Sequence, residues 1–493
     1  MQEQNSPKPI KERSGSMQRE GRTPLADAPC CWTEPEKRIP VIGEYDVVVA
    51  GGGPAGCAAA LAAARHGAKT LLVEKAGYLG GAPVTQLVAA ILSNNGVDFQ
   101  GVWHEFMTCM KAQGAVELGR FSDQGTPFRG TLDPERVKFV WESLLFAAGV
   151  DVLFHALVCG AFAEGTGLKG IVVETLGGRC AIRGKCFIDC TGDGALAAAA
   201  GVPWEQGDGT HKYAMALTKV FRLGNVYDLD EPLDEHEKAR IEDHWRKACA
   251  EGEFSSPVIT SGRVLSYAKN LRWALPSYRK ELMLITSRVL EVNPLDPWEI
   301  SDAEKEGREQ ARQVADFYRR YVDRCKHAYL LDTSNQIGIR SSRRIKGMYR
   351  VTAEDVIEFH KYSDGIAKGS WDIDVWPADN YTASPVDRSS PEYQARRKRL
   401  IEKREYYDIR YGALLADRLD NLLVAGRCLS ADHIAQSSLR IQQTCMSTGQ
   451  AAGSAAALSL IEKTTPRKLD VNKLIQTLDT DRKAISPAFD FLM

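Results

Sequence analysis

Apolar positions along this chain come in short valine- and leucine-rich runs closed by glycine, alternating with alanine-rich or charged stretches of helical length. The clearest alternation starts near Val41. Residues 45–50, Tyr-Asp-Val-Val-Val-Ala, are few, β-branched and bounded by glycines, the pattern of a buried strand. Residues 54–66 are dominated by alanine and predict a helix with a small-residue face, ended by Gly67. Residues 69–74, Lys-Thr-Leu-Leu-Val-Glu, predict a second strand. Strand, helix and strand with such short connections predict one crossover unit in a parallel sheet.

Further along, Pro134 follows Asp133 and predicts a capped helix over 134–148. The runs 152–162, 168–175 and 179–183 are separated by Gly165-Thr166-Gly167 and Gly177-Gly178, which predicts an antiparallel meander. Residues 185–190 then predict a separate buried strand. Residues 234–330 are charged and helical in pattern, most strongly over 301–328. Residues 364–411 hold several Pro, Asp, Tyr and Trp and read as loops near a site. Residues 421–426 predict one more buried strand, and an alanine-rich helix follows over about 444–462.

Composition narrows the classes. With 493 residues, 44% hydrophobic and 26% charged, the chain has the mix of a soluble globular protein of two or three domains. A net charge of −1 gives no support to a nucleic-acid or anionic-membrane partner. No apolar stretch is long enough to span a bilayer. Residues 1–40 lack the apolar core of a secretory signal and read as a flexible polar arm. The twelve cysteines form no C-x-x-C pair, so zinc ribbons and cysteine-ligated clusters lose their usual signature and no metal is expected. Buried thiols and a cytoplasmic setting are the expectation.

The strongest chemical signal is Gly51-Gly52-Gly53-Pro54-Ala55-Gly56, a G-x-G-x-x-G between the first predicted strand and helix. Gly51 permits the tight turn, Gly53 lets the backbone approach a pyrophosphate, and Gly56 lets helix and strand pack closely. The helix N-terminus there favours negative charge. Glu74 falls 18 residues after Gly56, at the end of the second strand, where a carboxylate can accept bonds from an adenosine ribose. The alternative for such a segment is a glycine turn with no ligand.

Other motifs give the chain a recognisable resemblance. Gly80-Gly81, Cys190-Thr191-Gly192-Asp193-Gly194, Leu423-Val424-Ala425-Gly426-Arg427 and Gly449-Gln450-Ala451-Ala452-Gly453 resemble the glutathione-reductase-like superfamily of FAD-dependent oxidoreductases, relatives of the fumarate reductase flavoproteins, from about residue 44 to about 460. The resemblance implies FAD, held by Gly51, Gly53, Pro54, Ala55, Gly56, Glu74, Lys75, Gly80, Gly81, Val158, Thr191, Gly192, Asp193, Gly426, Gly449 and Gln450. The small residues of the last motif also fit simple helix–sheet packing. Two departures stand out. Arg427 and Cys428 follow Gly426 where many relatives carry an acid slightly later, and Ser341 or Ser342 stands where the usual arginine-rich segment has a Glu.

The expected fold class is α/β: a Rossmann-type FAD-binding domain with a parallel sheet and β-meander, plus an inserted mixed or helical substrate region. The expected divisions are the arm 1–40, the first part of the FAD domain 41–204, the insertion 205–410, the closing strand and helix 411–465 and a helical tail 466–493. For chemistry, the expectation is hydride transfer between a small organic substrate and flavin N5, as a dehydrogenase or oxidase. His433 is the expected general acid or base, with Arg440 and Arg340 holding a carboxylate or developing oxyanion. Cys445 and Cys428 lie in flavin-proximal motifs and read as packed thiols rather than redox groups. Two other readings stay open: a non-catalytic flavin-binding subunit or sensor, and a flavoprotein acting on tRNA or a biosynthetic precursor. The electron acceptor is not named by the sequence.

Overall fold

Val47, Val48, Val49 and Ala50 have no accessible surface. Full burial of each valine side chain contributes about 1.5–3 kcal/mol, so this strand anchors the sheet it lies in. The computed structural model describes residues 22–485 apart from 29–30, 99, 119–128, 210–214, 230–232, 255–274, 277–278, 377–386 and 388. The first 21 residues of the expected arm and the last eight of the expected tail therefore lie outside the described residues.

The first strand, Val41–Ala50, pairs in parallel with Thr70–Val73 on one side and with Gly178–Asp189 on the other. Thr70–Val73 in turn pairs in parallel with a short edge strand, Asp151–Leu153. The order across the seven-stranded sheet is 151–153, 70–73, 41–50, 178–189, 167–175 and 157–164, with Leu422–Val424 joined in parallel to 178–189. The parallel strands hold the crossover unit, and the antiparallel ones form the meander.

Two details differ from the sequence reading. Residues 152–162 are not one meander strand: Asp151–Leu153 extends the parallel edge, and Leu157–Glu164 starts the meander. The chain turns between them at His155, which takes φ +53°. Conversely, 179–183 and 185–190 form one continuous twelve-residue strand. Its outer edge is shared, the first half by the meander strand Gly167–Thr175 and the last residues by Leu422–Val424. Gly184 reads as a break but lies within the ladder opposite Tyr45, where a Cβ would press on Phe187 and Val48.

The fingerprint helix, Pro54–Arg65, packs against the closing helix, Gln442–Ile461. Their backbones touch at two points: a Cβ on Gly449 would fall 2.1 Å from the Ala55 carbonyl oxygen, and one on Gly453 equally close to that of Ala59. The small-residue stripes thus serve helix–helix contact more than the helix–sheet contact read from sequence.

A second core, within the expected insertion, is built from Phe221, Trp245, Phe317 and Tyr318 among others. Helices Glu235–Ala250 and Pro297–Tyr321 flank a three-stranded antiparallel sheet of 221–224, 282–284 and 329–333. Residues 364–411 are more ordered than expected, with paired strands Gly365–Gly369 and Tyr407–Arg410 around the helix Pro391–Glu402. A last helix, Val471–Ile485, closes the described chain. Residues 22–40 are tied down at intervals, by Arg22 to Asp302 at 3.0 Å and by Glu34 to Arg179 at 2.7 Å. Among the described residues, no helix is long and apolar enough to cross a membrane and no group of residues is arranged to hold a metal.

Candidate functional site

Three loops at the carboxyl ends of the parallel strands meet at one cavity of about 470 Å³. Such a crevice is where open α/β sheets bind ligands. The first loop carries Gly51, Gly53, Pro54 and Ala55. Gly51 takes φ +97° and donates its N–H to the Val73 carbonyl at 2.8 Å, which turns the chain sharply out of the strand. A Cβ on Gly56 would lie 1.7 Å from the Gly51 oxygen, so only glycine allows helix and loop to close up. Around Gly53 the nearest atom to an added Cβ is the Gly81 Cα at 3.8 Å. The helix behind has no acidic residue in its first turn, so its N-terminus keeps its positive potential toward the cavity.

Glu74 and Lys75 line the same cavity. The Glu74 carboxylate is already engaged: it accepts the N–H of Gly52 at 2.6 Å and that of Ala76 at 2.8 Å. It locks the glycine loop onto the end of the second strand. An ionised carboxylate has about four acceptor positions, so a ribose can bond it as well.

The second loop runs from Cys190 to Gly194. Asp189, fully buried, accepts the N–H and hydroxyl of Thr191 at 2.9 and 2.7 Å and the N–H of Ala197 at 2.8 Å. Burial pushes its carboxyl upward against these bonds. Thr191, Gly192 and Asp193 line the cavity.

The third loop follows Leu422–Val424 and presents Gly426 and Arg427. Arg427 ties the third loop to the second and to the segment around Ile339. It donates to the carbonyls of Gly192 at 2.9 Å and of Ile339, and its Nη2 meets Asp193 Oδ1 at 2.7 Å. Asp193 also accepts the Ser342 hydroxyl at 2.6 Å. Ser342, one of the two serines at the expected Glu position, thus stands beside an acid supplied by the second loop.

The remaining wall comes from residues 218–220, 336–340 and 371–376, with side chains from elsewhere in the chain. Arg340 lies over the Trp376 ring at 4.3 Å and donates to the Ala216 carbonyl at 2.6 Å. Arg440 pairs with Asp374 at 3.1 Å. Both arginines line the cavity. Trp371, Asp372, Asp374, Trp376, Tyr393, Arg129, Arg397 and Gln442 line it too, and none of these was singled out from sequence. The aromatic and acidic residues of 364–411 were the available signal. Arg129 and Arg397 had none, because only the folded chain brings them here.

Other expected site residues stand elsewhere. Gly56 and Gly80 belong to the loop's packing; a Cβ on Gly80 would strike Val137 and Val84. Val158 lies in the meander and is not in the cavity wall. Gly449 faces Ala55, and the Gln450 side chain accepts the N–H of Val102 at 3.1 Å, a bond between helices. His433 is also outside the lining. Asp432 caps the short helix His433–Leu439. Burial and the nearby Arg344 lower the His433 pKa to about 4, so the ring is neutral near pH 7. Cys445 lines the cavity, but burial pushes its thiol up to about 12, and Cys428 also lies well above its usual range. Neither is a thiolate at neutral pH, and all the described cysteines are free thiols.

The family model for FAD dependent oxidoreductases matches residues 46–478. A dihydrolipoyl dehydrogenase of Trypanosoma brucei brucei is 60% identical over 43 residues, which are 9% of this chain and 9% of that protein. Among solved structures, a geranylgeranyl bacteriochlorophyll reductase-like protein of Thermoplasma acidophilum is 14% identical with a TM-score of 0.42, over 90% of this chain and 84% of that one. A flavoprotein/dehydrogenase of Cytophaga hutchinsonii is 15% identical with a TM-score of 0.41, over 91% and 86%. The p-nitrophenol 4-monooxygenase of Pseudomonas putida DLL-E4 is 12% identical with a TM-score of 0.41, over 90% and 85%.

Proposed function

The chain belongs to the FAD dependent oxidoreductase family, and from that premise we propose that it oxidises or reduces a small organic molecule held in the same cavity as the flavin. The observation that carries this reading is the continuity of the wall: one cavity is lined both by Gly51, Gly53 and Gly81 and by Arg340, Arg440 and Trp376. The residues fit the cofactor. Gly53 leaves open the space that a diphosphate needs, and the N–H groups of the fingerprint helix face it. Thr191, Gly192, Asp193 and Gly426 are placed to border the rest. Bound FAD supplies two-electron chemistry.

The protein's own groups then bind and orient. Arg340 is held flat on Trp376 and Arg440 is held by Asp374, so each guanidinium meets a ligand in a fixed direction. Their charge favours a substrate that carries or develops negative charge on oxygen. Since His433 lies outside the wall, the proton is not assigned to it.

The test is a flavin spectrum followed by an anaerobic screen of hydroxy acids, polyols and sugars for bleaching. Arg340→Met and Arg440→Met are expected to keep the bound flavin and lose most of the bleaching rate. Bleaching by none of these classes, but by a partner protein, would favour the subunit reading.

A further inference from the structure

Residues 370–376 form a strap in the cavity wall, held through its backbone by distant parts of the chain. The carbonyl of Ser370 accepts from the Asn94 amide at 2.9 Å, and that of Trp371 from the Ser438 hydroxyl at 2.7 Å. The N–H of Asp374 donates to the Ser437 hydroxyl at 2.9 Å, and the carbonyl of Trp376 accepts the N–H of Ala216 at 3.1 Å. Asp372, Ile373 and Val375 are buried. Trp371 and Trp376 are only partly buried, and both line the cavity. Neither ring belongs to the three loops that border the cofactor.

Each indole is fixed as well as accessible. The Arg129 guanidinium lies 5.0 Å from the Trp371 ring centre, and that of Arg340 lies 4.3 Å from the Trp376 ring centre. Trp376 Nε1 also donates to Asp374 Oδ1 at 3.2 Å, which sets the rotation of that ring. With a cation over one face, the surface that each ring gives to the cavity comes from its other face and its edges. Val220, Ile285 and Ile339 line the same cavity and add aliphatic surface. An aliphatic chain gains burial alone on such a wall. A flat ring gains burial and, beyond it, offset or edge-to-face stacking on an indole. Because the indoles are already held, little side-chain freedom is lost on binding.

We propose that Trp371 and Trp376 are the flat walls of an aromatic subsite, and that the substrate carries an aromatic ring. The ring lies against the indoles, with Val220, Ile285 and Ile339 on its aliphatic side. This names a substrate class for the reaction proposed above and rests on the reading that the cavity holds the substrate.

The test uses benzamide and its saturated counterpart cyclohexanecarboxamide, titrated against the flavin-loaded protein by calorimetry and tryptophan fluorescence. Benzamide is expected to bind about fivefold more tightly. Trp376→Leu is expected to lower the benzamide affinity about fivefold while leaving the cyclohexanecarboxamide affinity within about twofold and the flavin absorbance unchanged. Trp371→Leu is expected to act in the same direction, and Trp376→Phe to restore most of the preference. Equal affinity for the two probes, binding of neither, or a preference that survives both leucine variants overturns the proposal. Flavin released from either leucine variant assigns that indole to the cofactor and overturns it as well. A tryptophan-dependent preference for benzamide in a protein whose flavin no organic donor reduces supports the subsite and counts against the proposed reaction. Bleaching by an aliphatic hydroxy acid or a sugar, with no preference between the probes, upholds the reaction and overturns the subsite, so the two ideas fail separately.

Discussion

The Glu74 carboxylate accepts the backbone N–H of Gly52 at 2.6 Å, across the turn that joins the first strand to the fingerprint helix. A residue expected from its spacing to touch a ribose is also a clamp on the glycine loop. Its second oxygen accepts the N–H of Ala76, which fixes the orientation of the carboxylate at the end of the second strand.

Replacing Glu74 by Ala leaves the Gly52 and Ala76 N–H groups without this acceptor. Hydrogen bonds to charged groups contribute about 1.5–3 kcal/mol, so FAD affinity is expected to fall by at least about tenfold with the fold retained. Titration of the apoprotein by quenching of flavin fluorescence measures it. Wild-type affinity would show that the clamp does not govern the cofactor loop.

Gly449→Ala tests the contact between the two helices. The added methyl would meet a backbone oxygen at 2.1 Å, with no flexible side chain to move aside. Forcing extra volume into packed structure costs about 1–3 kcal/mol, and the melting temperature is expected to drop by several degrees. Gly449→Ala combined with Gly453→Ala is expected to lose more than either alone. A melting temperature equal to wild type in the double variant would refute tight backbone contact.

His433 gives a pH dependence with a definite sign. Its folded pKa of about 4 lies below the ordinary histidine value near 6.5. Above pH 6.5 both folded and unfolded forms are neutral and nothing is gained or lost. Between pH 6.5 and 4 the unfolded chain takes the proton first, so this group removes stability as pH falls, at up to about 1.4 kcal/mol per pH unit. His433→Gln is expected to flatten the fall in melting temperature between pH 7 and pH 5 and, because the ring is outside the cavity wall, to keep flavin turnover. A variant as acid-sensitive as wild type, or one without turnover, contradicts this placement.

The parts of the fold readable in advance were those with a local cause. The valines of 45–50, the glycines that follow and the alanines of 54–66 each state their structure within a few residues. Asp133 and Pro134 do the same for their helix, and Asp133 accepts the Glu135 N–H at 2.9 Å. The division of 152–162 was hidden because the turn falls at His155, where no glycine marks a positive φ. Gly184 misled in the opposite direction: it looks like a breaker but is small to fit beneath Phe187 and Val48. The helix Pro391–Glu402 was masked by its charge, for only Tyr393 and Leu400 along it are buried. In the site, the glycine loops and Asp193 were legible because their chemistry is written in contiguous residues. The meeting of Arg129 with Trp371, or of Arg427 with Asp193, depends on segments far apart in the chain and has no local signature.

Leu422–Val424 completes the edge of the strand Gly178–Asp189, and this has a consequence for biosynthesis. More than four hundred residues must leave the ribosome before the strand bearing Gly426 and Arg427 exists to be added. Until then the N-terminal crossover unit can form, because its contacts are local, but its fingerprint helix still lacks the neighbour that Gly449 and Gly453 provide. Non-local pairing of this kind is slow and leaves apolar surface exposed meanwhile. Nascent chains stalled shortly before Leu422 are therefore expected to depend on chaperones and to take up no flavin, which makes cofactor capture one of the last events in the maturation of the protein.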